Sequence, residues 1–197
     1  MNRQSLLSEF CDVSNDSEGE TITDFLIDFD MYDAYFTAVC GKGRLVDRGE
    51  AILVKRVRSK AFGGGVIRLW RRGNIGRSWN PTITYKQRAP SIPLLKSHLQ
   101  KSVRRCLSNE AYAGAMLLLS VDRIALLRRL LIIMIEDCCL NINAPLITWL
   151  MMAGHLMPLT EKVFQIVCGF VNTLCIESRI FRTSIKSYKT LPQMLYH

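Results

Sequence analysis

Residues 94–140 have the sequence LLKSHLQKSVRRCLSNEAYAGAMLLLSVDRIALLRRLLIIMIEDCCL, and this stretch decides the fold. Its apolar residues recur at intervals of three and four, which is the spacing of amphipathic helices. Pro93 suits the first turn of one helix, and Asn109 and Asp122 are residue types that cap the N-termini of a second and a third. The stretch therefore predicts three consecutive helices, the last of which ends at about Asp137.

The third predicted helix is mostly apolar, so we expect it to lie at the centre of the core. Two more helices are predicted at about 145–157 and 159–178, where apolar residues follow Pro145 and Pro158. Residues 93–178 thus predict a five-helix bundle. The residues of the third helix that we expect to be almost fully buried are Leu130, Leu131, Ile133, Met134 and Ile135.

Residues 22–90 are rich in glycine and cations, and they predict a small basic module with a hairpin. Glycine turn signals surround residues 44–46 and precede residues 51–58, and the second of these runs is β-prone and ends in alternation. A further short strand is expected at 82–85. Residues 23–39 mix aromatic residues with aspartates, and there we expect an acidic amphipathic helix that packs on the body of the protein.

Polar segments flank these two parts of the chain. Residues 1–21 are polar and acidic and predict a disordered arm, whereas residues 179–197 predict a basic tail. The predicted fold class is therefore mainly α: a five-helix bundle with a small basic β-containing N-terminal module. With 197 residues, of which 49% are apolar, the chain is large enough to bury a core of its own.

Charge is distributed unevenly along the chain, whose formal net charge is +9. Residues 1–38 carry −8, residues 42–105 carry +15, and residues 106–197 carry +2. A segment with so many cations suggests a polyanionic partner, and the acidic arm is placed to mask the basic surface by binding it.

Cations alternate with aromatic residues through residues 55–88, a pattern that suits nucleic acid. Phosphates bind cations, and exposed bases stack on aromatic rings. The alternative is a solvated basic surface with the tryptophans in the core. We expect the cations to form one contiguous positive surface, and we favour DNA over RNA as the ligand. The candidate nucleic-acid-binding residues are Lys55, Arg56, Arg58, Arg68, Trp70, Arg71, Arg72, Arg77 and Trp79.

The sequence gives little support for catalysis, and we expect no enzyme. Residues 60–78 contain glycines and cations but neither G-x-x-x-x-G-K-[ST] nor G-x-G-x-x-G, the two patterns that cradle phosphates. Glu136 and Asp137 end the third predicted helix, where the helix dipole disfavours negative charge, so we expect arginines to neutralise them. The residues expected to form structural ion pairs are Arg104, Arg105, Arg128, Arg129, Glu136 and Asp137.

The seven cysteines include no C-x-x-C pair, and most of them lie among apolar residues. We interpret them as reduced thiols of an intracellular protein, cytoplasmic or nuclear. The three histidines have no metal-ligand spacing to any cysteine, so we expect neither a metal nor a cofactor. The apolar stretches at 144–159 and 163–176 are shorter than the ~20 residues that a transmembrane helix needs, so we expect no membrane span.

Several of these motifs together resemble a known family. Residues 100–105 have the pattern QK-x-x-RR, residues 128–140 have RRL-x-x-I-x-x-ED-x-x-L, and Asn143-Ala144-Pro145 follows. Residues 94–145 thereby resemble the C-terminal helical region of clamp-loader-related AAA+ ATPases of the replication-associated recombination protein A / Werner-helicase-interacting family. The resemblance implies helices that mediate oligomerisation and fork association. The chain has no Walker A or Walker B motif, so the ATP hydrolysis of that family is not implied.

These observations favour a non-catalytic nucleic-acid-associated binding or assembly protein, and the resemblance implies a role in replication or repair. The expected partners are nucleic acid, further copies of the chain and an AAA+ protein. One alternative is a protein–protein oligomerisation module that docks an acidic partner. A second alternative is a small membrane-associated helical protein that uses its last two helices.

Overall fold

The computed structural model of the chain describes residues 22–38, 50–58, 65–79 and 90–189. The predicted acidic arm at 1–21, residues 44–46 and the strand expected at 82–85 lie outside these ranges. The described residues form four strands in the N-terminal part and five α-helices after them, with a short 3-10 helix at Gly154–Leu156. The strands are β1 (Ile22–Asp28), β2 (Asp33–Ala38), β3 (Ile52–Arg58) and β4 (Val66–Arg72). The helices are α1 (Ile92–Arg104), α2 (Ser108–Val121), α3 (Arg123–Asp137), α4 (Ala144–Ala153) and α5 (Glu161–Lys189).

Three residues were predicted to mark the N-termini of helices, and two of these predictions are confirmed. Pro93 lies in the first turn of α1, as predicted. Asp122 caps α3, because its carboxylate accepts a 2.8 Å hydrogen bond from the Ala125 N–H. The prediction that Asn109 caps α2 is wrong, since α2 begins at Ser108 and has no side-chain cap.

The last helix extends beyond its predicted end. The boundary expected at residue 178 is wrong, because α5 continues to Lys189 and has 29 residues. No glycine or proline occurs between Ser178 and Lys189, so nothing in this segment disfavours helical backbone.

The strands form one mixed sheet in the order β2-β1-β4-β3. β1 pairs antiparallel with β2 and parallel with β4, and β3 pairs antiparallel with β4. The acidic amphipathic helix expected at 23–39 is therefore wrong. The apolar residues that lie against the helices are Phe25, Ile27 and Phe29, and this period of two is the period of a strand.

The second run of the expected hairpin forms β3, whereas its first run, residues 44–46, lies outside the described residues. β3 begins at Ile52, close to the predicted start at residue 51, but its antiparallel partner is β4. The Arg56–Arg68 and Arg58–Val66 pairs fix this register.

α4 joins the helices to the sheet. Trp149 is fully buried, and its indole Nε1 donates a 3.0 Å hydrogen bond to the carbonyl oxygen of Phe25 in β1. Its ring also meets the ring of Phe29 edge to face, with centroids 6.4 Å apart. The sheet and the helices therefore share one core, which includes Leu69 of β4.

α3 lies in that core on one side only. Leu130, Ile133 and Met134 are buried as predicted. Leu131 is only partly buried, and the prediction for Ile135 is wrong, because that residue is 70% exposed. Ile135 lies three residues after exposed Ile132 and therefore on the same face of the helix, away from the core.

The two adjacent leucines of α3 provide a test of this burial pattern. We expect Leu130→Ala to lower the free energy of unfolding by about 2–5 kcal/mol, because it leaves a cavity in a fully buried site. Leu131→Ala should cost clearly less, since its side chain already contacts water in part. Urea denaturation of both variants measures the difference, and equal losses would show that α3 is not oriented as described.

Candidate functional site

The sheet carries a row of charged side chains on the face that points away from the helices. Alternation along β1 places Asp24 and Asp28 on the face opposite Phe25 and Ile27. The parallel register sets Asp24 beside Arg68 and Asp28 beside Arg72. We call these four residues the outer ion pairs.

Asp24 is the more completely enclosed of the two carboxylates, with 2% of its surface exposed. Arg68 donates to it from Nε at 2.7 Å and from Nη2 at 3.0 Å, in the two-pronged geometry that guanidinium groups favour. Trp70, two residues further along β4, donates from its indole Nε1 at 2.8 Å. Three donors from β4 therefore satisfy one buried carboxylate of β1.

Asp28 has a different set of donors. Arg72 Nε donates at 2.6 Å, and the backbone N–H groups of Asp30 and Met31 donate at 2.9 and 3.1 Å. Burial alone would raise the pKa of Asp28, but the hydrogen bonds from Arg72 and the two backbone groups outweigh it. The pKa of Asp28 therefore lies below its ordinary value.

This lowered pKa predicts an acid-sensitive contribution to stability. The ionised form of Asp28 is favoured in the folded protein, so its contribution is present above the unfolded pKa of about 3.9 and is lost as the pH falls through the folded value. We expect Asp28→Asn to remove this contribution and to flatten the decline in unfolding free energy below about pH 4. Urea denaturation at several pH values measures it, and parallel curves for the two proteins would contradict the assignment.

The predicted nucleic-acid-binding residues do not form one surface in the described part of the chain. Arg68, Arg72 and Trp70 are bound to the aspartates of the outer ion pairs. Lys55 faces the helices, where its Nζ donates 3.0 Å to the carbonyl oxygen of Met152. Arg71 alternates with Arg72 along β4 and so lies on the helix side as well.

The remaining candidates are divided between two places. Trp79 stacks on Phe164 of α5, with ring centroids 4.0 Å apart, and Arg77 precedes it in the exposed segment after β4. Arg56 and Arg58 are exposed on β3, on the same face as Arg68. The prediction of one contiguous positive surface is therefore wrong for these residues, because the period of a strand sends neighbouring cations to opposite faces.

The motifs QKSVRR and RRLLIIMIED meet in one polar network between α1 and α3. Gln100 Nε2 donates to Glu136 at 2.7 Å and to Asp137 at 2.9 Å. Arg104 binds Asp137 through Nε at 2.8 Å and Nη2 at 3.1 Å. Arg129 donates from Nη1 to Gln100 Oε1 at 3.2 Å. Each carboxylate thus has donors from α1, and the network holds the two helices together.

The expected ion pairs are only partly present. Arg104 and Asp137 form a salt bridge, whereas Glu136 is held by an amide and Arg129 contacts that same amide. Arg105 and Arg128 are exposed, and neither has an ion pair within the described ranges. Within those ranges there is also no group of three or more His, Cys, Asp or Glu side chains that could hold a metal ion.

A second kind of surface lies where the α3–α4 loop crosses α5. Asn141 donates 2.6 Å to Glu177, and the Cys138 thiol donates 3.3 Å to the carbonyl oxygen of Leu174, so the loop lies against α5. Four aliphatic side chains that lie within three residues of Asn141 or Glu177 along the chain are exposed. We call them the apolar surface: Leu140 (85% exposed), Ile142 (88%), Ile176 (52%) and Ile180 (59%).

This apolar surface was not predicted from the sequence. Leu140 and Ile142 lie between the third and fourth predicted helices, where no surface was predicted, and their alternation with Asn141 is the signal that could have found them. Single exposed aliphatic residues are ordinary, but a gathered set on a monomer often marks a binding surface.

α5 also bears on the membrane prediction. Its segment Glu161–Thr183 contains an 18-residue window with a mean hydropathy of 1.3, and by length and composition alone this helix could cross a membrane. The expectation that no stretch reaches this length is therefore wrong, because α5 extends beyond residue 176. In the structure, 44% of that window is buried inside the protein, and the core helix of a protein passes the same test.

Comparison of the chain with known protein families, characterised proteins and solved structures found no match. The resemblance of residues 94–145 to the helical region of AAA+ ATPases stays a prediction. The functional proposal therefore rests on the surfaces described above.

Proposed function

We propose that this chain is a non-catalytic protein–protein assembly module that associates with a second copy of itself through the apolar surface. The observation that carries the proposal is the exposure of four aliphatic side chains within three residues of Asn141 or Glu177 along the chain. Burying them on association releases water from apolar surface, which is the main favourable term in most protein association.

The chemistry of the apolar surface favours a second copy of the chain as the molecule that binds it. It consists of aliphatic groups without a charge that would need a complementary partner, so two copies can meet across a two-fold axis with the same residues on both sides. The oligomerisation implied by the AAA+ resemblance supports the same choice. In this proposal the five helices form a bundle, whose core holds α5 and the α3–α4 loop in place.

Size-exclusion chromatography with light scattering tests the proposal. We expect the wild-type chain to have twice the mass of 22.5 kDa and the double variant Ile142→Asp/Ile180→Asp to have the monomer mass. The matched control is Leu94→Asp, which changes another exposed leucine, 60% exposed in the first turn of α1. Monomeric wild-type protein, or three proteins of equal mass, would contradict the proposal.

Nucleic-acid binding is the second candidate function. It is supported by the charge of +15 on residues 42–105 and by Arg56 and Arg58, which are exposed on one face of β3. Fluorescence anisotropy with labelled single-stranded DNA at several salt concentrations tests it. If both arginines contact phosphates, Arg56→Ala/Arg58→Ala should flatten the plot of log affinity against log salt by about two units. A slope that does not change would remove these two residues from the candidate interface.

A further inference from the structure

A cleft opens where α2 ends and α3 begins, away from both the outer ion pairs and the apolar surface. Its volume is about 590 Å³, within the range of about 300–1,000 Å³ that is usual for small-molecule sites. The partly exposed apolar side chains of its wall are Ile92, Val121 and Leu159, whereas Leu119 and Met157 line it but are 4% and 2% exposed. Arg123 and His155 contribute polar groups. Val121 lies at the end of α2 and is 42% exposed.

Arg123 is the distinctive group in this cleft. Its side chain is partly buried, and its Nη2 donates 2.6 Å to the carbonyl oxygen of Gly154. Within the described residues no carboxylate forms a salt bridge with it. The adjacent carboxylate of Asp122 also lines the cleft, but it accepts the capping hydrogen bond from Ala125.

The environment of Arg123 disfavours an isolated cation. Burial lowers the pKa of the Arg123 guanidinium, although the group remains charged at any physiological pH. A guanidinium has five N–H donors, and the Gly154 carbonyl accepts from only one of its nitrogens. A partly buried cation without a counter-charge is unfavourable, so an anion that enters the cleft gains a charge-assisted hydrogen bond.

We propose that this cleft binds a small organic anion, with a carboxylate or phosphate head that pairs with Arg123 and an apolar body that lies on Ile92, Val121 and Leu159. The apolar wall sets the class of ligand, because an inorganic anion would leave that wall in water. The planar fork of the guanidinium suits the two oxygens of either head group.

Three probes separate the contributions of the head and the body. Octanoate carries both, octanol carries only the apolar body, and inorganic phosphate carries only the charge. We expect saturable binding of octanoate by calorimetry, with octanol and phosphate each weaker by about tenfold or more, the loss expected for one charge-assisted contact or for the apolar body. Octanoate should also shift the Arg123 Nε–Hε resonance in NMR spectra.

Variants locate the binding. Arg123→Gln should weaken octanoate binding by about tenfold or more, and Arg123→Lys should lose less because it keeps the charge. Val121→Trp should block the cleft while leaving the guanidinium in place, which keeps the test informative if Arg123→Gln unfolds. Arg128→Gln, on the exposed side of α3, is the matched control and should bind as the wild type does.

Two results would overturn the proposal. One is the absence of saturable octanoate binding to the wild-type chain up to about 10 mM. The binding free energy would then be weaker than the ~4 kcal/mol of a site with millimolar affinity. The other is octanoate binding by folded Arg123→Gln or by Val121→Trp that equals binding by the wild type, which would place the octanoate elsewhere on the protein.

Discussion

Asp24→Ala should lower the free energy of unfolding by about 3–5 kcal/mol, because it leaves the guanidinium of Arg68 and the indole N–H of Trp70 without the carboxylate that binds them. Breaking one half of a buried ion pair costs far more than the pair contributes, since the remaining charge stays desolvated. Urea denaturation measures the loss.

Asp30→Ala is the matched control for this change. Asp30 pairs with Lys162 at 3.1 Å, but its side chain is 59% exposed, so its loss should cost no more than about 1 kcal/mol. The double variant Asp24→Leu/Arg68→Met should recover much of the stability that Asp24→Ala loses, because it removes both charges together. Equal stability of Asp24→Ala and Asp30→Ala would show that the outer ion pairs are not buried.

Trp149→Ala should also cost about 3–5 kcal/mol, because Trp149 is fully buried between α4 and the sheet. Trp149→Phe keeps most of the ring and removes the hydrogen bond to the Phe25 carbonyl, so it should cost less, although that carbonyl is left without its donor. Denaturation followed both by circular dichroism and by NMR signals of β1 distinguishes global unfolding from release of the sheet. A loss below about 1 kcal/mol for Trp149→Ala would contradict the shared core.

The helical part was largely predictable because its signals are local. Pro93, Asp122 and the three–four spacing of leucines each depend only on residues within or next to one helix. For this reason α1 to α4 begin within two residues of the predicted positions. The end of α5 was missed because the prediction stopped where the apolar run stops, whereas the helix continues through a polar segment. Ile135 was assigned to the core because periodicity alone does not show where an apolar face ends.

The outer ion pairs could not be predicted from composition, because their two halves lie far apart in the sequence. Asp24 and Arg68 are separated by 44 residues, as are Asp28 and Arg72. One signal was present: the aspartates are four residues apart, and so are the arginines, which suits two parallel strands in register. Assigning residues 23–39 to a helix concealed this match, and the arginines were then counted as free for nucleic acid.

The most direct test of the proposed assembly is the sedimentation-equilibrium mass of the wild-type chain at low and high salt. We predict twice 22.5 kDa at both about 50 mM and about 500 mM salt, because apolar burial is not screened by ions whereas contacts between exposed charges are. A mass of 22.5 kDa at both concentrations, or a dimer that dissociates at high salt, would contradict self-association through the apolar surface.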